Sequence, residues 1–187
     1  MADPPWEQKS GPKMSGKYIV VDGKQQFDLV SLKSADLPYG TMSVDEICLM
    51  PIKEMVDKDA MLFLWVTNKH LPNAFKVIEA WGFKYSTCLT WAKKPMGGGL
   101  GGIFRIGHEH LIYATRGKAG AKGKIKGTVF DVKREYEGGY PCHSRKPKFF
   151  LDMIDGLSHG PKLELFARRE REGWDVHGNQ VKNSIEI

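Results

Sequence analysis

The sequence predicts an α/β domain built on a largely parallel, buried sheet, and two observations carry that prediction. Strand and helix signals alternate along the chain. Met61 to Thr67, MLFLWVT, is a continuous apolar run of strand length, the pattern of a strand covered on both faces and expected at the sheet centre. With 187 residues, 41% of them hydrophobic and 11% aromatic, the chain is long enough for a single domain (1–187) with a real core.

Taken in order, the chain opens on Asp3-Pro4-Pro5-Trp6. The prolines lock their own φ angles and remove two amide donors, and Pro4 pushes Asp3 toward an extended conformation. A stiff segment with one carboxylate and one flat aromatic suits a planar, amine-bearing ligand. YIVVDGKQQFDLVSL, inserted over about 17–33, reads as a hairpin turning at Asp22-Gly23, an excursion from the sheet. Ser43 and Glu46 form a capping box for a short helix running through Met50, which Pro51 ends. After the apolar strand, Leu71, Ala74, Phe75, Ile78 and Trp81 recur at helical spacing, and Gly82 stands where that crossover helix stops. Tyr85 to Trp91 and Glu109 to Thr115 read as neighbouring strands. The glycine-rich segment between them, about 95–107, and the polar stretch at about 116–142 read as mobile loops. Ser144 is expected to cap a helix whose Phe149, Phe150, Met153, Ile154 and Leu157 face the core. Leu163 to Ala167 is the last predicted strand.

Composition and spacing exclude several chemistries. The charge of +6, from 28 Lys and Arg against 22 Asp and Glu, fits a polyanionic partner without requiring one. Cys48, Cys88 and Cys142 have neither zinc-site nor disulfide-framework spacing, which implies a reducing, cytoplasmic compartment. No apolar run reaches membrane-span length, and the start lacks a secretory leader. Gly97-Gly98-Gly99 with Gly101-Gly102 lacks the Lys-Ser/Thr ending of a phosphate loop. His108 and His110 share a strand face but find no third ligand at a recognised spacing, so no metal is expected. The sequence contains no nucleophile elbow and no Cys-His arrangement that spacing alone supports, so covalent catalysis is not expected.

DPPW at Asp3 to Trp6 is followed in order by LPYGTMSVDEI, LFLWVTN, AWGF, TWAKK, GHEHLIYATRG, HSRKP and ELFARRE...GWDVHGNQ. In this joint order the motifs resemble the MT-A family of adenine methyltransferases, in the style of its short bacterial and phage members. The resemblance spans nearly the whole chain apart from the hairpin. It implies a Rossmann-like fold that binds S-adenosylmethionine, with motifs in permuted order and a mostly parallel sheet flanked by helices.

The same resemblance implies roles. Asp3 and the Pro4 carbonyl would accept the two hydrogens of an adenine amino group while Pro5 and Trp6 stack on the extruded base. Tyr39 would form a second wall. Lys146, in the first turn of a helix, would contact the cofactor with Phe166, Arg168, Asn179 and Gln180. Arg105, Lys124 and Lys126, with Lys118, Lys122 and Arg134, would track a phosphate backbone. The substrate implied is DNA before RNA, with a non-catalytic nucleic-acid-binding subunit as the other class; a homodimer is admitted. Two departures are visible. The family carries an apolar strand immediately before its DPPW, which this chain is expected to lack. Arg168 is followed by Arg169, Glu170 and Arg171 instead of the His-Asn of the eukaryotic branch, so ribose contacts are expected to differ.

Overall fold

The computed structural model describes residues 1–7, 13–21, 24–32, 40–94, 104, 106–138, 140–141 and 145–187. Its elements in chain order begin with the strands β1 (Lys13–Val21) and β2 (Lys24–Leu32), the helices α1 (Val44–Leu49) and α2 (Ile52–Met55), and β3 (Ala60–Val66). They continue with α3 (Leu71–Ala80), β4 (Lys84–Lys94), β5 (His108–Arg116), β6 (Val129–Lys133), β7 (Tyr136–Glu137) and β8 (Tyr140–Pro141). The chain closes with α4 (Lys148–Leu157), β9 (Leu163–Leu165) and β10 (Asp175–His177).

The strand order β3-β5-β4-β6 forms the main sheet. Its extension comes from the first two residues. Ala2 bridges Leu64 of β3 and Leu165 of β9 in parallel, with Ala2 N–H donating to Phe63 O, Trp65 N–H to Ala2 O and Leu165 N–H to Met1 O, each at 2.9 Å. Met1 and Ala2 thus occupy the place of the strand expected to be missing, and they fuse the parallel pair β9/β10 to the rest. The sheet is mixed, not largely parallel, because β5 runs antiparallel to both β3 and β4. A tight return from β4 would suffice for that direction, whereas a parallel neighbour requires a long crossover. Among the described residues β1 and β2 form a two-stranded sheet of their own, in the register Val21↔Lys24, as the hairpin predicts; Asp22-Gly23 lies outside the described residues.

Alternation along β3 divides the core. Leu62, Leu64, Ile112 and Ala114 pack on one face against Ile47, Ala74, Val77, Ile78 and Trp81. On the other, Phe63, Trp65, Leu89, Trp91 and Leu111 meet Phe150, Met153, Ile154 and Trp174. Burying each such side chain is worth about 1.5–3 kcal/mol. The Ser43/Glu46 capping box is present, and Trp81 Nε1 donates to Ile47 O at 2.9 Å, tying α3 to α1. Two residues of the predicted helical stripes face out: Phe75, 45% exposed, packs on Tyr85, and Phe149, 44% exposed, on Phe130. Each sits at the border of its helix's apolar arc. The last helix begins later than Ser144, which lies outside the described residues. Pro147 is its N-cap, and a proline turns the residue before it away from helical geometry, so Lys146 precedes the helix instead of lying in its first turn. The predicted loop at 116–142 contains β6, parallel to β4. No helix among the described residues is long and apolar enough to cross a membrane.

Candidate active site

Strands β3, β4, β6, β9 and β10 all end on one edge of the sheet, the usual place for ligands in α/β folds, and β5 starts there. Asp3 leaves that edge directly after Ala2. Glu109, opposite Trp91 in β5, emerges on the same face as Trp65. Lys146 arrives from the extended segment before Pro147. Its ammonium donates to both Asp3 oxygens at 2.7 and 2.8 Å and lies 3.4 Å from Glu109 Oε2, above the Trp65 ring at 5.4 Å. Lys93 closes the other side of Glu109 and stands 5.0 Å over Trp91. Four charges therefore alternate in a row.

Burial shapes their ionisation. It works to lower Lys146, but the Asp3 and Glu109 carboxylates overcome it and hold the ammonium above its usual range. It works to raise Glu109, and the Lys146 and Lys93 charges overcome that, holding it below its usual range. Asp3 is pushed up, by burial first and by Glu109, while Lys146 and Arg168 oppose the shift. Both Asp3 oxygens accept from the Lys146 ammonium, a charge-assisted contact that favours the carboxylate against that push.

A cavity of about 750 Å³ opens beside this row. Its walls include Asp3, Pro4, Pro5, Trp6, Glu109, Lys146, Phe166, Arg168, Asn179 and Gln180, so residues far apart in sequence border one space. Phe166 ends β9 with φ 61°, a left-handed conformation rare for a side chain of its size, which turns the chain along the cavity. Asn179 and Gln180 follow β10. Gly178 makes their placement possible: a Cβ there would meet the Ala167 carbonyl oxygen at 2.2 Å, and Ala167 N–H donates to His177 O at 3.0 Å. Gly178 N–H in turn donates to Asn183 Oδ1 at 2.8 Å.

Two expectations need correction. Trp6 does not offer its face to a base: it is 5% exposed, stacks on His70 and donates from Nε1 to Trp65 O at 3.0 Å. An indole beside a strand end gains more from filling the core than from facing water. Lys124 and Lys126, expected to track a phosphate backbone, lie away from the cavity. They follow the far end of β5, where Lys122 N–H donates to Leu157 O at the close of α4, and the chain reaches the level of Thr90 only at Thr128. Lys146 reaches the site from outside the helix, as described above. Tyr39 and Arg105 lie outside the described residues.

Sequence reasoning missed Glu109 and Lys93. The signal for Glu109 is alternation: an acid in register with Leu111 and Tyr113 falls on the covered face and must find a partner. Opposite it, His108 and His110 meet edge to face at 4.9 Å, with Cys88 Sγ 3.5 Å from His110 Nδ1.

The chain is 28% identical over 192 residues to the Type II methyltransferase M.MunI of Mycoplasma sp, covering all of this chain and 78% of that protein. It is 30% identical over 175 residues to METTL3, the catalytic subunit of the Homo sapiens N(6)-adenosine-methyltransferase, and to the Drosophila melanogaster MT-A70-like N(6)-adenosine-methyltransferase over 179. It spans 28% and 27% of those two relatives. Residues 1–180 match the MT-A70 family, so the acid-proline opening and the closing Asn-Gln segment both fall inside the match, and the chain belongs to that family.

Proposed function

We propose that the protein transfers a methyl group from S-adenosylmethionine to the exocyclic amino group of adenine in DNA, giving N6-methyladenine, on a Rossmann-like scaffold of permuted order. The supporting observation is that the acid-proline segment and the Lys146, Phe166, Arg168, Asn179 and Gln180 set border one cavity. That set fits the cofactor. Lys146 and Arg168 offer cations for its carboxylate, Asn179 and Gln180 offer amide groups for ribose and adenine, and Phe166 offers an apolar surface. When bound, the cofactor supplies a methyl group on a positive sulfur.

The protein's part is to orient the amine and accept its proton. The lone pair of an adenine amino group is delocalised into the ring, and acceptors on both hydrogens favour the geometry in which it is free to attack. Pro4 O already accepts from Trp6 N–H at 2.8 Å, which fixes its direction and leaves a second lone pair. The Asp3 carboxylate is held by Lys146 and retains two further acceptor positions. Positive charge developing on the adenine nitrogen as it gains the methyl group would be stabilised by Asp3, which would accept the released proton. Burial, by raising Asp3, improves it as that acceptor. With Trp6 buried, apolar support for the base falls to Pro5, Leu49 and Met50; Leu49 is 82% exposed and borders the cavity.

DNA is preferred because the alignment with a Type II methyltransferase covers this whole chain and most of that protein. RNA is the second reading, favoured by the identity to N(6)-adenosine-methyltransferase subunits. Labelled S-adenosylmethionine incubated with DNA or RNA, followed by nucleoside analysis, separates them. N6-methyladenine in DNA is expected, reduced about 100-fold or more by Asp3→Ala. Unchanged turnover in Asp3→Ala overturns the mechanism. Nucleic-acid binding without cofactor affinity overturns the enzyme reading in favour of a partner subunit.

A further inference from the structure

The reaction outlined above gives no task to His70, yet this side chain grips the far end of the acid-proline segment. It closes a 3-10 turn at Asn68–His70, between β3 and α3, and is 6% exposed. Its Nε2 lies 2.8 Å from the Glu7 carbonyl. A carbonyl only accepts, so Nε2 carries the hydrogen and donates. Nδ1 is then the acceptor, and Asn73 Nδ2 faces it at 3.4 Å. The imidazole also stacks on Trp6, with ring centroids 5.4 Å apart and planes 17° from parallel. One histidine thus holds the side chain of one residue and the backbone of the next.

Two prolines make a segment stiff but do not aim it, because a rigid rod is aimed by its ends. One end is Ala2, fixed in the sheet between β3 and β9. The other is Trp6 and Glu7. Met42 bridges it through the backbone, with Met42 N–H donating to Pro5 O at 2.8 Å and Glu7 N–H to Met42 O at 3.1 Å. His70 is the clamp on the opposite side, and it stands on the same strand end as Trp65, whose carbonyl receives the Trp6 indole. We propose that His70 is a positioning residue, aiming the Asp3 carboxylate and the Pro4 carbonyl at the substrate amine through Trp6 and Glu7. The activity arm of its test rests on the methyltransferase reading, and the exchange arm does not.

The test measures amide hydrogen exchange of the ligand-free protein together with steady-state methyl transfer. In His70→Ala, exchange at Trp6 and Glu7 is expected to rise about tenfold while amides of β4 and β5 keep their rates. kcat is expected to fall about tenfold with the KM for S-adenosylmethionine within about twofold of wild type, the signature of lost alignment. His70→Phe, which keeps a flat ring against Trp6 and loses the donor, should fall between the two in both measurements. It also decides the matter if His70→Ala does not fold. Unchanged exchange at Trp6 and Glu7 overturns the proposal, as does a general rise across β4 and β5 or an unchanged kcat with a raised KM. If wild type transfers no methyl group to DNA or RNA, the methyltransferase reading falls, and exchange alone decides whether His70 holds the segment.

Discussion

Glu109 is the middle acid of the charge row, and removing it would leave Lys93 and Lys146 facing each other with one carboxylate between them lost. Breaking a buried pair from one side costs about 3 kcal/mol or more, because the remaining charge stays desolvated. Glu109→Gln is therefore expected to lower stability at neutral pH by about that amount, read from denaturant unfolding. The sign of its pH dependence follows from the lowered ionisation. A carboxyl held below its ordinary value of 4.5 contributes stability above that pH and loses it as pH falls through the folded-state value. The gap between wild type and Glu109→Gln should accordingly be constant at neutral pH and shrink below about 4.5; a gap that widens in acid contradicts this account. Leu49 supports a different test. An exposed leucine at the cavity border offers apolar surface to a flat base, and burying such a side chain is worth about 1.5–3 kcal/mol. Leu49→Asp is expected to raise the KM for nucleic acid about tenfold while cofactor affinity, read by calorimetry, stays the same.

At the scale of elements, the last turn of chain is locked to β9 by contact of backbone on backbone. A Cβ on Gly178 has no flexible side chain to displace, since what it meets are the carbonyl oxygen and amide nitrogen of Ala167, at 2.2 and 2.6 Å. Gly178→Ala is expected to cost about 1–3 kcal/mol in thermal unfolding and to weaken S-adenosylmethionine binding, because Asn179 and Gln180 would move with the displaced backbone. Binding unchanged against lowered stability would separate the segment from the cofactor. Elements with self-contained signals were legible in the sequence: the α1 capping box, the apolar run of β3, the β1/β2 hairpin, and β4 and β5 as neighbours. Those fixed by tertiary context were not. β6 alternates between exposed and half-buried positions at a sheet edge and reads locally as loop. The direction of β5 depends on which edge of the sheet the chain returns along. Met1 and Ala2 act as strand only because β3 and β9 supply partners on both sides. Within the site, motif order brought the acid-proline segment and the Asn-Gln segment to one place. The burial of Trp6 and the entry of Lys146 depended on space that no local pattern reports.

Among the described residues, the two ends of the main sheet carry different chemistry. The charge row, the cavity and the strand ends lie at one edge of the sheet, whereas the lysine-bearing stretch from Lys118 to Lys126 leaves β5 at the other, where Lys118 N–H donates to Asp59 Oδ1 at 2.6 Å. A nucleic acid presenting one extruded base to the cavity would cross the edge near Asp3 and need not reach that stretch. Phosphate contacts announce themselves in salt dependence, since each one released contributes nearly one unit to the slope of log affinity against log salt. Lys124→Ala/Lys126→Ala is therefore expected to leave the KM for DNA within about twofold of wild type and its salt slope unchanged. A slope reduced by about two would mean that the duplex wraps from the cavity along α4 to the far end of the sheet, and that the footprint is set by the overall charge of +6 instead of by the edge at which the base enters.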